Sequence, residues 1–470
     1  MRRSSQTVEI LPSPRRLTEV LRDVGYDFVS AVADVVDNSI AAKASRIEID
    51  VSWAGPDSWI RIADNGFGMD AATINEALRF GSERSYRADD LGKFGLGLKT
   101  ASLSQCRQIL VASRVSPNTA RIDARSFDLD RIIRDDEWTI EIVAAAHRPS
   151  ELTAPLRDGP GTVVMWKVLD RLLGFKVPRG QNAHNALLEM TERLEQHLAM
   201  VFHRFLEGDV SGRHGRKLTM TLNGNRIAPW NPFALDEPST QHLQTREFDI
   251  SANGVQGLVT FDPWILPTRE QFSSEAAFNR MSGPSKWNHQ QGFYIYRANR
   301  MIQSGGWSRI RAADEHTKYA RIALDFFPEL DPAFGINIAK MRVQLPQALR
   351  ERMKDPLQDA IRVANKSYRA ESSSSRGGSK AGKEKAATTP LAPKPKPKPI
   401  AEPQPNQPGG STNPLGPAPI AWPPAPLARR PDVREAIETA AADVGEVGAL
   451  ERIVAHLRSE FPEVARDLGW

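Results

Sequence analysis

The chain reads as a mixed α/β (α+β) protein, and three observations point there. Short alternating apolar runs of strand type are interleaved with amphipathic helical stretches from residue 17 to about 180. A second series of strands and turns, over 217–345, follows one long helical stretch. Beyond residue 369 the composition turns abruptly to Ser, Pro and Lys. The expected order is an N-terminal arm (1–16), an α/β domain (17–180), a connecting helix with a second mixed α/β domain (181–369), a disordered linker (370–431) and a small helical unit (432–470). A chain of 470 residues is long enough for two or three separate cores. It shows no internal repeats.

The elements follow in order. Leu17, Val20, Leu21 and Val24 recur at helical spacing, and Gly25 closes that helix. A second helix spans about Asp27 to Ala42 on the stripe Phe28, Val32, Val35, Val36 and Ile40. Asp34 and Asn38 lie one turn apart beside that stripe, near the core boundary. Strands are expected at Arg46–Val51 and Trp59–Ala63, then a helix over Ala71–Phe80 capped by Asp70. Residues 81–91 read as a polar mobile loop, and Gly92-Lys93-Phe94-Gly95-Leu96-Gly97 leads from it into a helix that opens at Leu98. Further strands are expected at 108–115, 120–127, 138–144 and 161–168, then a helix over 183–207.

In the second domain Lys217–Leu222 ends in Asn223-Gly224, a hairpin signal. Gly292–Arg297 turns at Ala298-Asn299 and resumes at Arg300–Ile302. Ala320–Phe326 is a strand, and Ile336–Lys340 precedes a last helix over 346–369. The Pro/Lys run 393–399 is extended and semi-rigid, better read as a solubilising spacer than as a binding segment. The helical pattern of 432–470 is near the lower size for independent folding.

Composition restricts the function classes. The formal net charge is +5 and the pI about 9.2, a mild basicity that permits nucleic-acid contact without demanding it. The single cysteine, Cys106, allows no internal disulfide and suits a reducing cytoplasm. No signal-peptide pattern is seen, and no apolar run reaches the ~20 residues of a membrane helix. Rossmann, Walker A, metal-cluster and nucleophile-elbow patterns are absent from the sequence.

The chemistry lies in four features in series. Asp64-Asn65-Gly66-Phe67-Gly68-Met69 ends a strand in a sharp glycine turn that aims one carboxylate into a pocket. Asp64 can accept a hydrogen bond from the exocyclic amine of adenine, with Gly66 and Gly68 allowing flat approach of the base. The Gly92–Gly97 loop enters a helix N-terminus, a site suited to phosphate. Asn38 offers an oxygen to Mg²⁺, and Asp34 can orient or deprotonate a water for attack on a γ-phosphate. Gly161-Thr162 opens the later strand.

With these residues in place the sequence resembles the GHKL ATPases, the group of DNA gyrase B, the heat-shock ninety chaperones, histidine kinases and MutL. Asp34–Ile40 matches the N-box, Asp64-x-Gly66-x-Gly68 the first glycine box, Gly92–Gly97 the lid box and Gly161-Thr162 the last box. The resemblance implies a Bergerat fold, a mixed sheet with helices on one face, that binds ATP with Mg²⁺ under a mobile lid. Within the group, Gly95-Leu96-Gly97-Leu98-Lys99-Thr100-Ala101-Ser102 is closer to MORC-like ATPases than to MutL. Residues 217–345 resemble the transducer domain, whose basic residue reaches the γ-phosphate; Lys340 matches that position best.

Asp34 and Lys340 are therefore the expected catalytic pair. Asn38, Asp64, Gly66, Gly68, Met69, Gly92, Lys93, Phe94, Gly95, Leu96, Gly97, Lys99 and Thr162 are the expected nucleotide-binding set, with Asn38 on the metal. Two departures stand out. Asp34 replaces the Glu of many relatives, which implies slow hydrolysis, and Ala41 stands where a carboxylate is common; Asp37 is either a partial substitute or a solvent-exposed helix residue. The resemblance implies an ATP-gated homodimeric clamp with DNA as candidate partner. A nucleotide-gated scaffold with little hydrolysis and an ATP-dependent chaperone stand beside it. A histidine kinase is disfavoured, since no phospho-acceptor helix precedes the ATPase region and His184 and His197 follow it.

Overall fold

Strand residues alternate between two faces, and in the first sheet both faces are covered. A computed structural model describes residues 12–23, 26–81, 97–115, 121–175, 177, 179–210, 217–284, 286–336, 343–378, 447–460 and 466. The chain divides into two units, 1–385 and 386–470. The second unit contributes the helix Val447–Glu460, inside the stretch expected to be helical.

The first part of unit 1 contains strands β1 (Arg46–Ser52), β2 (Trp59–Asp64), β3 (Gln108–Arg114), β4 (Asp123–Asp128), β5 (Glu141–Ile142), β6 (Gly161–Lys167), β7 (Thr219–Leu222) and β8 (Asn225–Arg226). Its helices are α1 (Pro14–Arg22), α2 (Phe28–Ala41), α3 (Ala71–Leu78), α4 (Gly97–Leu103), α5 (Leu129–Asp135), α6 (Ser150–Thr153), α7 (Gln181–Val201) and α8 (His203–Glu207). The strands form one eight-stranded sheet in the order β5-β4-β3-β6-β2-β1-β7-β8. Ile60 and Ile62, Ile109 and Val111, and Val164 and Trp166 point to the core shared with α2, α4 and α7. Ala63, Leu110, Ala112, Val163 and Met165 point the other way, onto Leu152 of α6 and Leu156. The mixed α/β fold is as expected.

A second, six-stranded sheet follows: β9 (Gln241–His242), β10 (Arg246–Ala252), β11 (Val255–Ile265), β12 (Gly292–Arg297), β13 (Arg300–Ser304) and β14 (Ala320–Phe326). Its path is β10-β11-β14-β12-β13, with β9 on β11. Helices α9 (Glu275–Met281), α10 (Lys286–Gln290), α11 (Asp331–Phe334), α12 (Gln347–Arg352) and α13 (Lys354–Gly378) accompany it. β12 and β13 turn at Ala298 and Asn299, with φ of 48° and 69°, the left-handed pair that a tight hairpin requires.

Several expectations need correction. β7 runs parallel to β1, so the 217–222 strand extends the first sheet rather than opening the second. α1 buries Thr18 and Arg22, while Val20 is exposed: the Arg22 guanidinium donates to the Leu103 carbonyl at 2.8 Å and to Asp170 at 2.6 Å, and these bonds turn the helix. The 183–207 helix breaks at Phe202. The last helix breaks at buried Met353 and then runs on to Gly378, past the expected end at 369. Glu371 holds it there, accepting from the Tyr319 hydroxyl at 2.9 Å and the Arg269 backbone N–H at 3.2 Å.

Candidate nucleotide site

α2 is the spine of the site. Asp27 caps it, its carboxylate accepting from the Ser30 backbone N–H at 2.8 Å. The helix lies against α4, α7 and β2, and so is buried on nearly every side. Asp34 and Asp37 are both buried, whereas Asn38 is exposed. Asp37 is thus not the solvent-facing residue of one sequence reading: it is 0% exposed. A buried carboxylate needs a partner, and Arg300 of β13 supplies it, with Nε 3.1 Å from Asp37 Oδ2 and Nη2 3.8 Å from Asp34 Oδ1. The Tyr26 hydroxyl donates to Asp34 Oδ2 at 2.7 Å. Burial, then the Asp34 charge and this bond, hold the Tyr26 hydroxyl well above its ordinary titration range, so it stays a donor. A Cβ placed on Gly97, at the start of α4, would lie 3.5 Å from Asp34 Oδ2, so the end of the lid box meets the N-box helix here.

The other end is built on β2. Asp64 Oδ1 accepts from the Gly66 N–H at 2.8 Å, and Oδ2 accepts from the Ser39 hydroxyl at 2.9 Å. Burial raises the Asp64 carboxyl above the usual range, opposed by Gly66, Ser39 and the Thr162 backbone N–H. Each carboxylate oxygen has two acceptor positions, so the carboxylate retains capacity for an exocyclic amine. Thr162 sits opposite Asp64 in the β2–β6 ladder, and its hydroxyl lies 2.9 Å from that of Ser113. Ser113 in turn accepts from the Met69 N–H at 2.7 Å.

The glycines also have a reason within the chain itself. A Cβ on Gly66 would come within 2.6 Å of the Ala42 carbonyl oxygen. One on Gly68, where φ is +72°, would come within 2.1 Å of the Arg114 carbonyl oxygen. These are chain-to-chain contacts that pin the turn to the end of α2 and to β3.

The structure thus brings together Asp34, Asn38, Asp64, Gly66, Gly68, Met69, Gly97 and Thr162 around α2 and its flanking turns. Lys99 stands apart: its buried ammonium donates to the Ala77 carbonyl at 3.0 Å and to that of Arg79, and burial lowers it to about 8. Gly92, Lys93, Phe94, Gly95, Leu96 and Lys340 lie outside the described residues, as does the loop 82–91. Sequence reading missed Tyr26, Ser39, Ser113 and Arg300. Ser39 lay inside the matched N-box phrase, and Arg300 directly after the hairpin turn at Ala298-Asn299.

Residues 26–158 match the family described as Histidine kinase-, DNA gyrase B-, and HSP90-like ATPase. The chain carries a GHKL-type ATPase domain. Among curated relatives, a DNA mismatch repair protein MutL of Actinobacillus succinogenes is 37% identical over 114 residues, covering 23% of this chain and 18% of the relative. One of Shewanella piezotolerans is 30% identical over 123 residues, covering 25% and 18%. One of Shewanella sp. strain MR-4 is 26% identical over 244 residues, covering 50% and 32%. The chain therefore spans about a fifth to a third of the length of these relatives. The MORC-like reading of Gly95–Ser102 gains nothing from these matches, since all three are MutL proteins.

The GHKL domain implies ATP, and the residues present suit it. At one end stands a half-buried, oriented carboxylate with acceptor capacity. At the other, the exposed amide Asn38 stands one turn from Asp34. Mg²⁺ takes few protein ligands beside phosphate oxygens and water. No group of three or more His, Cys, Asp or Glu placed to hold a metal occurs among the described residues.

Proposed function

We propose that this chain binds ATP with Mg²⁺ between Asp64 and Asp34, hydrolyses it slowly, and acts as an ATP-gated homodimeric clamp with DNA as its partner. Asp64 accepts from the adenine amine. Asn38 would hold Mg²⁺, which supplies charge neutralisation at the phosphates. Asp34 takes the proton of the attacking water as the water oxygen bonds the γ-phosphorus; the bond to the bridging oxygen breaks, giving ADP and phosphate. Lys340 and the Gly92–Gly97 loop belong to the γ-phosphate end of this reading.

The observation that carries it is Arg300, which joins the second sheet to Asp34 and Asp37 of the N-box helix. Such a contact lets the state of the nucleotide site reach the second domain. Mild basicity and the MutL name of the relatives support DNA. No helix among the described residues is long and apolar enough to cross a membrane, and the buried single cysteine agrees with a cytoplasmic setting.

A second reading, a nucleotide-gated scaffold with little hydrolysis, is favoured by the Tyr26 and Arg300 contacts that already engage Asp34. Size-exclusion chromatography of the full chain with a non-hydrolysable ATP analogue is expected to show a dimer; an unchanged monomer at saturation sinks the clamp. Phosphate release stimulated by duplex DNA rather than by unfolded protein supports the clamp over a chaperone. Absence of turnover in the parent favours the scaffold.

A further inference from the structure

The face of the first sheet toward α2, α4 and α7 is apolar over two successive rows. Ile60, Trp166 and Ile109 lie side by side across β2, β6 and β3, and Ile62, Val164 and Val111 form the next row. The row after that, on the same face, is polar throughout: Asp64, Thr162 and Ser113. Buried polar side chains need partners, and here the partners fix where each proton lies.

Ser113 is 1% exposed and Thr162 8%. The Ser113 hydroxyl oxygen lies 2.7 Å from the Gly161 carbonyl oxygen, 2.7 Å from the Met69 backbone nitrogen and 2.9 Å from the Thr162 hydroxyl oxygen. A carbonyl brings no proton, so Ser113 donates its own to Gly161. It accepts from the Met69 N–H, and its second lone pair is left for Thr162, which is then the donor of that pair. One donor and two acceptor positions are all that a serine hydroxyl has, so Ser113 is saturated. The Thr162 proton is spent inward, and its oxygen keeps acceptor capacity alone. Opposite it, Asp64 accepts from the Gly66 N–H, the Ser39 hydroxyl and the Thr162 N–H, and its remaining capacity is also that of an acceptor.

We propose that Ser113 is a positioning residue for base recognition: by taking the Thr162 proton it turns the base end of the site into a wall of acceptors, selective for a base with an exocyclic amine and against one with a carbonyl oxygen in its place. The proposal rests on the nucleotide reading above and adds to it a residue that acts through Thr162. An amine has two N–H groups, enough for Asp64 and Thr162 both. A carbonyl oxygen meets lone pairs on both. Without Ser113, the Thr162 hydroxyl is free to turn and donate to such an oxygen.

The test compares calorimetric Kd values of the full chain for ADP and for inosine diphosphate, whose base carries an oxygen where adenine carries the amine. The parent is expected to prefer ADP by about 100-fold or more. Ser113→Ala is expected to lower that preference about tenfold, whereas Ser113→Thr, which keeps the hydroxyl, retains most of it. Thr162→Val lowers the preference by itself, and adding Ser113→Ala to it should change the ratio no further. Lost packing or stability weakens both nucleotides alike. An unmoved ratio in Ser113→Ala, or a further drop in the double variant, therefore overturns the proposal while ADP binding by the parent still stands. A parent that binds neither ADP nor a non-hydrolysable ATP analogue overturns the nucleotide reading, and the role of Ser113 with it.

Discussion

Asp64 and Asp34 are carboxylates at the two ends of one candidate site, and they are held in opposite ways. Among the described residues, Asp64 is held by neutral donors, the Gly66 and Thr162 backbone N–H groups and the Ser39 hydroxyl, all from the first sheet, its turn and its covering helix. Asp34 sits in a charged cluster whose cation comes from the second sheet. The donors of the first arrangement named here all lie outside the second sheet. The second is complete only when the hairpin β12–β13 is docked. Recognition of a base suits the former, and regulated chemistry at a phosphate suits the latter.

The largest expected effect tests the cost of that charged cluster. Arg300→Met removes the guanidinium that faces two buried carboxylates and should destabilise by about 3–5 kcal/mol in urea unfolding near neutral pH. Ser39→Ala, which removes one neutral donor from Asp64, should cost only about 1–2 kcal/mol. Equal costs would erase the contrast between the two ends. Next is Gly68→Ala, expected to cost about 3 kcal/mol because the Cβ collides with the Arg114 carbonyl at a positive φ. Gly81→Ala shares the positive φ but meets none of the described residues within 4 Å, and should cost about 1 kcal/mol. If the two alanines cost the same, the turn is not pinned to β3.

Tyr26→Phe removes a donor to Asp34 and should cost about 2 kcal/mol, with the loss shrinking once Asp34→Asn is also present. The smallest effect concerns pH. Burial, then the charge of Arg300, lowers His197 to about 4, below its ordinary value of about 6.5. Between those values the unfolded chain binds the extra proton, so stability falls as pH drops from about 6.5 toward 4. His197→Gln should flatten that part of the urea-midpoint profile, and an unchanged slope would remove His197 from the cluster.

Much of this was legible in the sequence where the determinants are local. The Asp70 cap, the Asn223-Gly224 and Ala298-Asn299 turns and the strand at Gly161-Thr162 follow from nearest neighbours in the chain. The Asp64 turn was also readable, and its glycines answer to Ala42 and Arg114 as well. What escaped depends on distant partners. A one-sided stripe leaves Asp37 solvent-facing in one of its two readings, whereas α2 is enclosed by α4, α7 and β2. Its partner Arg300 lies 263 residues away, and no periodicity connects them. The membership of β7 in the first sheet rests likewise on parallel pairing with β1.

The most direct measurement is steady-state phosphate release from Mg-ATP by the full chain carrying Asp34→Asn or Asp64→Asn. The account predicts a clean split. Asp34→Asn should lower kcat by about 100-fold or more with KM within about threefold of the parent. Asp64→Asn should raise KM about tenfold or more while kcat changes little. A parent-like kcat in Asp34→Asn, or a KM unmoved in Asp64→Asn, would contradict the assignment of hydrolysis to one end and base recognition to the other.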